Sequence, residues 1–138
     1  MGKITLEGKD LPLGELRKAI LSEGQRAGKV SIKKVDNWED SPVGHPHSSI
    51  SIFLNKDKQG KGLGRLGYAL AAEQSGLDEV YAYIAKKNLA SIRAAEHAGF
   101  SRVHPEYKQY LMRWERDKTA SEEIDYNTLK SYLDDSYS

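Results

Sequence analysis

The chain has 138 residues and a formal net charge of +1 at neutral pH, with 30% charged residues and a mean hydropathy of -0.66. This length predicts one domain with a single core, and the near-neutral charge does not indicate a nucleic-acid binder. The absence of cysteine excludes disulfides, thiol nucleophiles and thiolate zinc sites. Because no apolar run approaches the roughly 20 residues of a membrane span, and the first residues lack a secretory apolar region, we expect a cytoplasmic protein with no membrane part.

The N-terminal third predicts a strand, a helix and a second strand. Residues 3–7 are typical of a short strand. Residues 13–22 predict a helix that Gly24 ends. The apolar stripe of this helix comprises Leu13, Leu16, Ala19 and Ile20. Residues 30–35 predict the next strand, and the polar residues 36–47 predict a loop.

A glycine-rich turn at residues 59–64 connects a strand to a helix. Residues 49–54 alternate as in a strand with one buried face, and apolar residues recur at helical spacing after the turn. The first turn of a helix has unpaired N–H groups and partial positive charge, and glycine lets a ligand approach the backbone closely. The basic residues around this turn are Lys56, Lys58, Lys61 and Arg65. The turn therefore predicts a site for a phosphorylated ligand.

Two common phosphate-binding patterns fit this turn poorly. No Gly-Lys-Ser/Thr ends it, so it is not a Walker loop. The string Gly62-x-Gly64-x-x-Gly67 matches the dinucleotide fingerprint. However, no acidic residue ends a second strand at the expected distance, which disfavours a dinucleotide site.

The turn resembles the signature of the GNAT superfamily of acyl-CoA-dependent N-acyltransferases, Gln/Arg-x-x-Gly-x-Gly/Ala, through Gln59, Gly62 and Gly64. After a predicted strand at residues 80–84, a second string over residues 88–100 is similar to the second motif of that family. At the positions that vary within this second motif, the chain has Ser91, Ile92, Arg93 and Glu96. This combination is most similar to the branch that acetylates ribosomal-protein N-termini and polyamines. The resemblance covers roughly residues 48 to 114.

The resemblance implies an α/β (α+β) GNAT fold. Its central sheet is mixed, mostly antiparallel and splayed between the fourth and fifth strands, with helices on both faces. The family normally has three antiparallel strands between its first helices and the glycine turn, but only two are evident here. Either a strand lies within residues 26–40, or the N-terminal half that binds the acceptor is shortened.

The last elements are a predicted hairpin from residue 102 and a strand at residues 107–114. Residues 115–138 then hold seven acidic and three basic residues, a charge of -4. We therefore predict a GNAT domain over residues 1–114 and an acidic tail over residues 115–138, which is disordered or forms one short helix. A homodimer contact through such a helix is one alternative.

The resemblance also implies a set of cofactor-binding residues. The backbone of Phe53 and Leu54 would bind the pantetheine arm of acetyl-CoA as an added strand, and the Leu54 N–H would donate to the oxyanion. Asn88 would cap the following helix and contact the pantetheine. The full implied set is Phe53, Leu54, Gln59, Gly60, Lys61, Gly62, Leu63, Gly64, Arg65, Asn88 and Ser91. No metal is expected, because His45 and His47 lack a third ligand.

The usual acid of the family, a tyrosine seven residues after the motif asparagine, is replaced by Ala95. We expect Ser91 to serve instead as the acid that assists the leaving thiolate. Tyr107 and Tyr110 are alternatives, although packing explains each of them better than catalysis does. His47 is the candidate base, since histidine exchanges protons near neutral pH. The competing interpretation makes His47 a plain loop residue beside Pro46.

These residues predict an N-acetyltransferase that moves an acetyl group from acetyl-CoA to a primary amine by direct attack in a ternary complex. The lack of cysteine favours direct attack over an acyl-enzyme. The alternative is a GNAT-fold module that binds acyl-CoA without turnover, which the missing tyrosine would explain. The expected partner is an amine on a small molecule, a peptide or a protein. Nucleic acid is disfavoured, because cofactor phosphates already account for the basic turn.

Overall fold

The computed structural model describes residues 3–8, 11, 15–104 and 109–116. Its strands are β1 (Ile4–Glu7), β2 (Leu16–Ser22), β3 (Gln25–Lys34), β4 (Ser48–Leu54), β5 (Glu79–Ala85), β6 (Ser101–His104) and β7 (Gln109–Glu115). Its α-helices are α1 (Leu63–Gln74) and α2 (Leu89–His97), and short 3-10 turns occur at Trp38–Asp40 and Lys56–Lys58. None of the described helices is long and apolar enough to cross a membrane.

The strands form one mixed sheet in the order β1-β2-β3-β4-β5-β7-β6. Only β4 and β5 are parallel neighbours in the described sheet, and they share a single paired position, Ser49 with Tyr81. In contrast, β4 pairs with β3 along its whole length. The sheet therefore opens between β4 and β5 towards their carboxyl ends, as the predicted fold class requires.

Residues 16–22 form strand β2, so the helix predicted there is wrong. The spacing of Leu16 and Ile20 fits a helix, but it equally fits alternate positions of a strand, and both side chains are buried. Pairing decides between the two, because β2 lies between β1 and β3 and is hydrogen-bonded to both. Positions 13 and 14 of that predicted helix lie outside the described residues.

The strand missing from the sequence prediction is therefore β2, and it does not lie within residues 26–40. Instead of ending a helix, Gly24 forms a two-residue hairpin turn with Glu23, and their φ angles are +80° and +53°. β3 begins at Gln25, five residues before the predicted start. In the described part of the chain, no α-helix precedes α1.

The core lies between the sheet and the two α-helices, which share one face. Side chains from alternate positions of the strands meet both helices in a single cluster. Gly67 allows α1 to approach the sheet, since a Cβ atom there would lie 3.1 Å from Ile20 Cδ1 and 3.3 Å from Ile52 Cδ1. Neither α-helix covers the opposite face, where the Phe53 side chain is 56% exposed. The prediction of helices on both faces therefore differs from the described residues, in which both α-helices pack on one face.

The end of β7 is attached to α1 by Arg116. This side chain donates hydrogen bonds to the carbonyl oxygens of Ala72, Glu73 and Leu77 at 3.4, 3.0 and 3.1 Å. Residue 115 belongs to β7, so the sheet domain extends beyond the predicted boundary at residue 114. The predicted turn at residues 105–106 and the tail from residue 117 lie outside the described residues, and the tail remains a prediction.

Candidate functional site

A cleft of about 550 Å³ lies where β4 separates from β5, between the end of β4, the glycine turn and the two helices. Of the predicted cofactor-binding residues, it brings together Leu54, Gln59, Gly60, Gly62, Gly64, Arg65, Asn88 and Ser91. The remaining three lie elsewhere: the Phe53 side chain is on the opposite face, Leu63 is buried in the core, and Lys61 is exposed in the turn. The lining includes Arg65 and Arg93, and no described carboxylate contributes to it. Its electrostatic character therefore suits an anion.

The glycines of the turn have two different functions. Gly60 and Gly62 adopt φ angles of +75° and +80°, and a Cβ atom on either would meet nothing within 4 Å. They therefore set the backbone path and leave space above it. Gly62 is also the N-cap of α1 and offers no side chain to the N–H groups of the first helical turn. Gly64 serves packing, because its Cβ would lie 3.3 Å from Ala94 Cβ in α2.

Gln59 ties the turn to the end of β4. Its Nε2 donates a hydrogen bond to the Leu54 carbonyl oxygen at 3.2 Å. Leu54 is also the last residue of β4 to pair with β3, opposite Gly28. Beyond Ser49, the β5-facing edge of β4 has no strand partner in the described sheet. A ligand with amide groups is able to pair with such an edge.

Asn88 caps α2, as predicted. Its Oδ1 accepts a hydrogen bond from the Ser91 backbone N–H at 3.2 Å. Gly99, with a φ of +102°, follows the last turn of α2, and Phe100 enters the core. The cap fixes the first turn of α2, and this turn presents Asn88 and Ser91 to the same cleft.

Tyr68, which no sequence motif indicates, reaches Ser91 from α1. The Tyr68 side chain is 3% exposed and packs edge-on against Phe100, with 5.5 Å between ring centroids. Its hydroxyl oxygen lies 2.6 Å from Ser91 Oγ. Burial raises the pKa of Tyr68 above its usual value, while the hydrogen bond to Ser91 acts in the opposite direction. The only sequence signal was its position one helical turn after Gly64.

The other sequence-predicted acid positions lie away from the cleft. Ala95, where the family has its tyrosine, is fully buried in the core. Tyr110 packs against the core and lies beneath the guanidinium of Arg102, 4.3 Å from its ring centroid. Tyr107 lies outside the described residues. Ser91 is thus the one predicted acid that the described structure places in the cleft.

His47 lies on the opposite face of the sheet from Ser91, against Tyr81 and Tyr83. The His47 Nδ1 atom is 2.8 Å from the His45 carbonyl oxygen, which only accepts, so Nδ1 carries the proton. The Nε2 atom lies 2.7 Å from the Tyr83 hydroxyl, and with the proton on Nδ1 alone it accepts a hydrogen bond from that hydroxyl. These two contacts fix the tautomer and the orientation of the His47 imidazole.

The rings around His47 form a cluster at the amino ends of β4 and β5. Centroid distances from His47 are 5.0 Å to Tyr81, 6.0 Å to Tyr83 and 6.1 Å to His45. Burial raises the pKa of Tyr81, with a hydrogen bond from Arg113 opposing this shift. Among the side chains that the structure describes, no group of three or more His, Asp or Glu residues is arranged to hold a metal ion.

The fold and this cleft define an acyltransferase of the GNAT class. The sequence profile described as "Acetyltransferase (GNAT) domain" matches residues 9–101. The chain therefore belongs to the GNAT acetyltransferase family, which confirms the resemblance found in its two motifs. No curated protein sequence is significantly similar to the chain.

Several solved structures share the fold. An aminoglycoside acetyltransferase, AAC(6')-Ib, in complex with coenzyme A and kanamycin has a TM-score of 0.64 and 20% identity, over 80% of this chain and 72% of that one. Mycobacterium smegmatis RimJ in complex with CoA-disulfide has a TM-score of 0.61 and 15% identity, over 75% and 54% of the two chains. A chimera of the spermidine N-acetyltransferase SpeG from Vibrio cholerae and hSSAT has a TM-score of 0.58 and 18% identity, over 78% and 70%.

Proposed function

We propose that this protein transfers the acetyl group of acetyl-CoA to a primary amine by direct attack in a ternary complex. The observation that carries the proposal is the cleft beside β4, because it joins the glycine turn at the start of α1 to Asn88 and Ser91 of α2. Family membership supplies the reaction class. The three solved relatives described above are structures of acetyltransferases or of their complexes with coenzyme A, and two of their names specify amine-bearing acceptors.

Each part of the cleft matches one part of acetyl-CoA. The backbone N–H groups after Gly60 and Gly62, with Arg65, would bind the phosphates, since a helix N-terminus and a guanidinium both favour anions. At the open edge of β4, Leu54 would pair with the pantetheine amides. The Phe53 backbone, predicted for the same role, faces β3 instead, because Asn55 N–H donates to the Ala27 carbonyl oxygen and backbone groups alternate in direction along a strand. Asn88 would bind the same arm through the part of its amide that the cap does not use.

The proposed chemistry uses a donor on each side of the thioester. As the amine nitrogen attacks the carbonyl carbon, the Leu54 N–H stabilises the developing oxyanion. The C–N bond forms, the C–S bond breaks, and its electron pair passes to sulfur. Ser91 would donate a hydrogen bond to that sulfur from within the cleft. No cysteine is present to carry the acyl group.

His47 is the proposed acceptor of the proton that the amine loses. Because Tyr83 already donates to His47 Nε2, the proton would move in a relay. The amine proton passes to the Tyr83 oxygen while the Tyr83 proton passes to Nε2. Both side chains lie on the face opposite the cleft, so the amine would approach the thioester through the opening between β4 and β5.

A second candidate function is acyl-CoA binding without turnover. Two observations favour it: the position of the usual tyrosine is the fully buried Ala95, and Ser91 and His47 lie on different faces of the sheet. Binding and turnover measurements separate the two functions.

The test is calorimetric titration with acetyl-CoA, followed by thiol release on a panel of spermidine, kanamycin and a peptide with a free N-terminus. Because the chain has no cysteine, every thiol that a chromogenic reagent detects belongs to coenzyme A. We expect binding, and thiol release with an amine that exceeds hydrolysis without one. Binding without release on any amine would favour the second function, and no binding would overturn the assignment of the cleft.

A further inference from the structure

The contact between Tyr68 and Ser91 joins a buried phenol of α1 to the serine of the cleft. The two oxygens are 2.6 Å apart, which is a short hydrogen bond between hydroxyl groups. Tyr68 is almost fully buried, whereas Ser91 is half-buried at the cleft wall. Packing against Phe100 accounts for the ring of Tyr68, but it does not account for a hydroxyl directed at Ser91.

The chemistry of the two groups indicates which one donates. A phenol is a stronger hydrogen-bond donor than an alcohol, because it is the more acidic of the two. Burial also raises the pKa of Tyr68, so the phenol keeps its proton through neutral and mildly alkaline pH. With Tyr68 donating to Ser91 Oγ, the proton of Ser91 is free to point into the cleft.

We infer that Tyr68 is a positioning residue that holds the Ser91 hydroxyl as a hydrogen-bond donor to the sulfur of coenzyme A. The inference rests on the proposed function and adds to it Tyr68, a residue that no sequence motif indicated. When the C–S bond breaks, the electron pair stays on sulfur and the Ser91 O–H stabilises the thiolate. Neither Tyr68 nor Ser91 loses its proton in this step. The thiolate later takes one proton from solvent, and the amine releases one proton, so the reaction is balanced.

The arrangement also explains how the chain functions without a tyrosine at position 95. The side chain of the buried Ala95 cannot donate a hydrogen bond. Instead, Tyr68 of α1 and Ser91 of α2 together provide the hydrogen-bond donor to the sulfur. Because α1 and α2 meet at Gly64 and Ala94, their approach sets the distance between Tyr68 and Ser91. The two hydroxyls should therefore act as a unit.

The first test compares Tyr68→Phe, Ser91→Ala and the double variant in steady-state thiol release. We expect each single variant to lower kcat about 10- to 100-fold while KM for acetyl-CoA changes less than about threefold. The double variant should be no slower than Ser91→Ala, because both changes remove the same donor. Tyr110→Phe is the matched control, since it deletes a tyrosine hydroxyl that does not line the cleft, and kcat should be unchanged.

The second test does not need turnover. With the protein in excess over coenzyme A, the rate at which iodoacetamide alkylates the thiol is measured against pH. The protein contributes no thiol of its own. We expect the midpoint for bound coenzyme A to lie below that for free coenzyme A, and to rise by about half a unit or more in Tyr68→Phe and Ser91→Ala but not in Tyr110→Phe.

The outcomes separate this inference from the proposed function. A wild-type protein that binds coenzyme A but acetylates no amine would remove the proposed function, while the alkylation midpoint would still decide the role of Tyr68. Unchanged kcat and an unchanged midpoint in Tyr68→Phe would overturn the inference, as would independent, multiplicative losses in the double variant. If wild-type protein bound no coenzyme A, both proposals would be wrong.

Discussion

At the residue scale, Gly62 and Gly24 provide a matched pair for testing the cleft. Both have a φ of +80°, and a Cβ atom on either would meet nothing within 4 Å. A glutamate at either position carries similar backbone strain, on the order of 1 kcal/mol. Only Gly62→Glu places a carboxylate at the start of α1, inside the proposed phosphate site.

We therefore expect Gly62→Glu to weaken acetyl-CoA binding at least about 100-fold, which corresponds to roughly 2.7 kcal/mol. Gly24→Glu, in the hairpin between β2 and β3, should stay within about twofold of wild type. Calorimetric titration of both variants makes the comparison. Equal losses in the two variants would attribute the effect to strain, and unchanged affinity in Gly62→Glu would remove the phosphates from this turn.

His47 and His45 allow a similar comparison for the proposed base. His47→Asn removes the imidazole that Tyr83 contacts. The only hydrogen bond between His45 and that imidazole uses the His45 backbone carbonyl, and the His45 ring makes an edge-on contact at 6.1 Å between centroids. We expect His47→Asn to lower kcat about 100-fold or more and His45→Asn to leave it nearly unchanged. Acetyl-CoA affinity should be unaffected in both, because neither residue lines the cleft. Equal kcat values in the two variants would exclude His47 as the base.

The raised pKa of Tyr68 predicts a loss of stability in alkali. The usual tyrosine pKa is 10.0, and burial lifts it in the folded state. Between these two pKa values the unfolded chain has lost a proton that the folded protein keeps, so the free energy of unfolding falls as pH rises. The slope that one such group adds is at most about 1.4 kcal/mol per pH unit.

The contribution of Tyr68 to the free energy of unfolding should therefore be complete below pH 10 and decline above it. Urea unfolding from pH 8 to pH 11 should show a smaller alkaline loss for Tyr68→Phe than for wild type. Because the pKa of Tyr81 is also raised, Tyr68→Phe should still lose some stability in alkali. Identical slopes for the two proteins would show that Tyr68 ionises equally in the folded and unfolded states.

At the element scale, the sequence predicted best where the signals are local. The glycine turn between β4 and α1, the Asn88 cap of α2 and the glycine after that helix are each written within a few adjacent residues. Strand β2 was misassigned because two apolar residues four apart fit either structure, and only its non-local pairing with β1 and β3 decides.

The polar contacts of the site are non-local as well. Tyr68 and Ser91 are 23 residues apart, and His47 and Tyr83 are 36 apart. No periodicity in the sequence relates the members of either pair. The sequence therefore indicates Ser91 and His47 as single residues, and their partners are evident only from the arrangement of the two helices and the sheet.

The hairpin that joins β2 to β3 offers a prediction about this corrected strand. Glu23 has a φ of +53°, a conformation that asparagine adopts more readily than glutamate, particularly before glycine. Glu23→Asn should raise the free energy of unfolding by about 0.5–1 kcal/mol in urea titrations. Glu23→Ala removes the same carboxylate without that preference and should give no gain. Equal stabilisation by both changes would attribute the effect to charge and not to the turn.

At the scale of the whole molecule, the site is a product of the incomplete sheet. Strands β1–β4 form one antiparallel half and β5–β7 the other, and a single paired position between β4 and β5 joins them. The opening exposes one edge of β4 to the cleft. In the proposed reaction, the opening would also be the route between the face with Ser91 and the face with His47. More extensive pairing between β4 and β5 would cover the edge of β4 and close this route. The two halves of the sheet must therefore be held together by other contacts.

Arg116 is one such contact, because it joins the end of β7 to the last turn of α1. Its guanidinium donates to the carbonyl oxygens of Ala72 and Glu73, which belong to the set that a helix leaves without intrahelical partners, and also to that of Leu77. A cation at this position also suits the helix dipole. The ion pair with the Glu73 carboxylate, at 3.2 Å, is a smaller part of the contact, since the Glu73 side chain is 68% exposed.

We expect Arg116→Gln to lower the free energy of unfolding by about 1–3 kcal/mol, since several donors to carbonyl oxygens are lost together. Glu73→Gln removes only the exposed ion pair and should change stability by less than about 0.5 kcal/mol. Urea unfolding of both variants distinguishes the two contributions. If Glu73→Gln were as unstable as Arg116→Gln, the ion pair would be the source of the stability. If both variants were as stable as wild type, the Arg116 side chain would not contribute to holding α1 against β7.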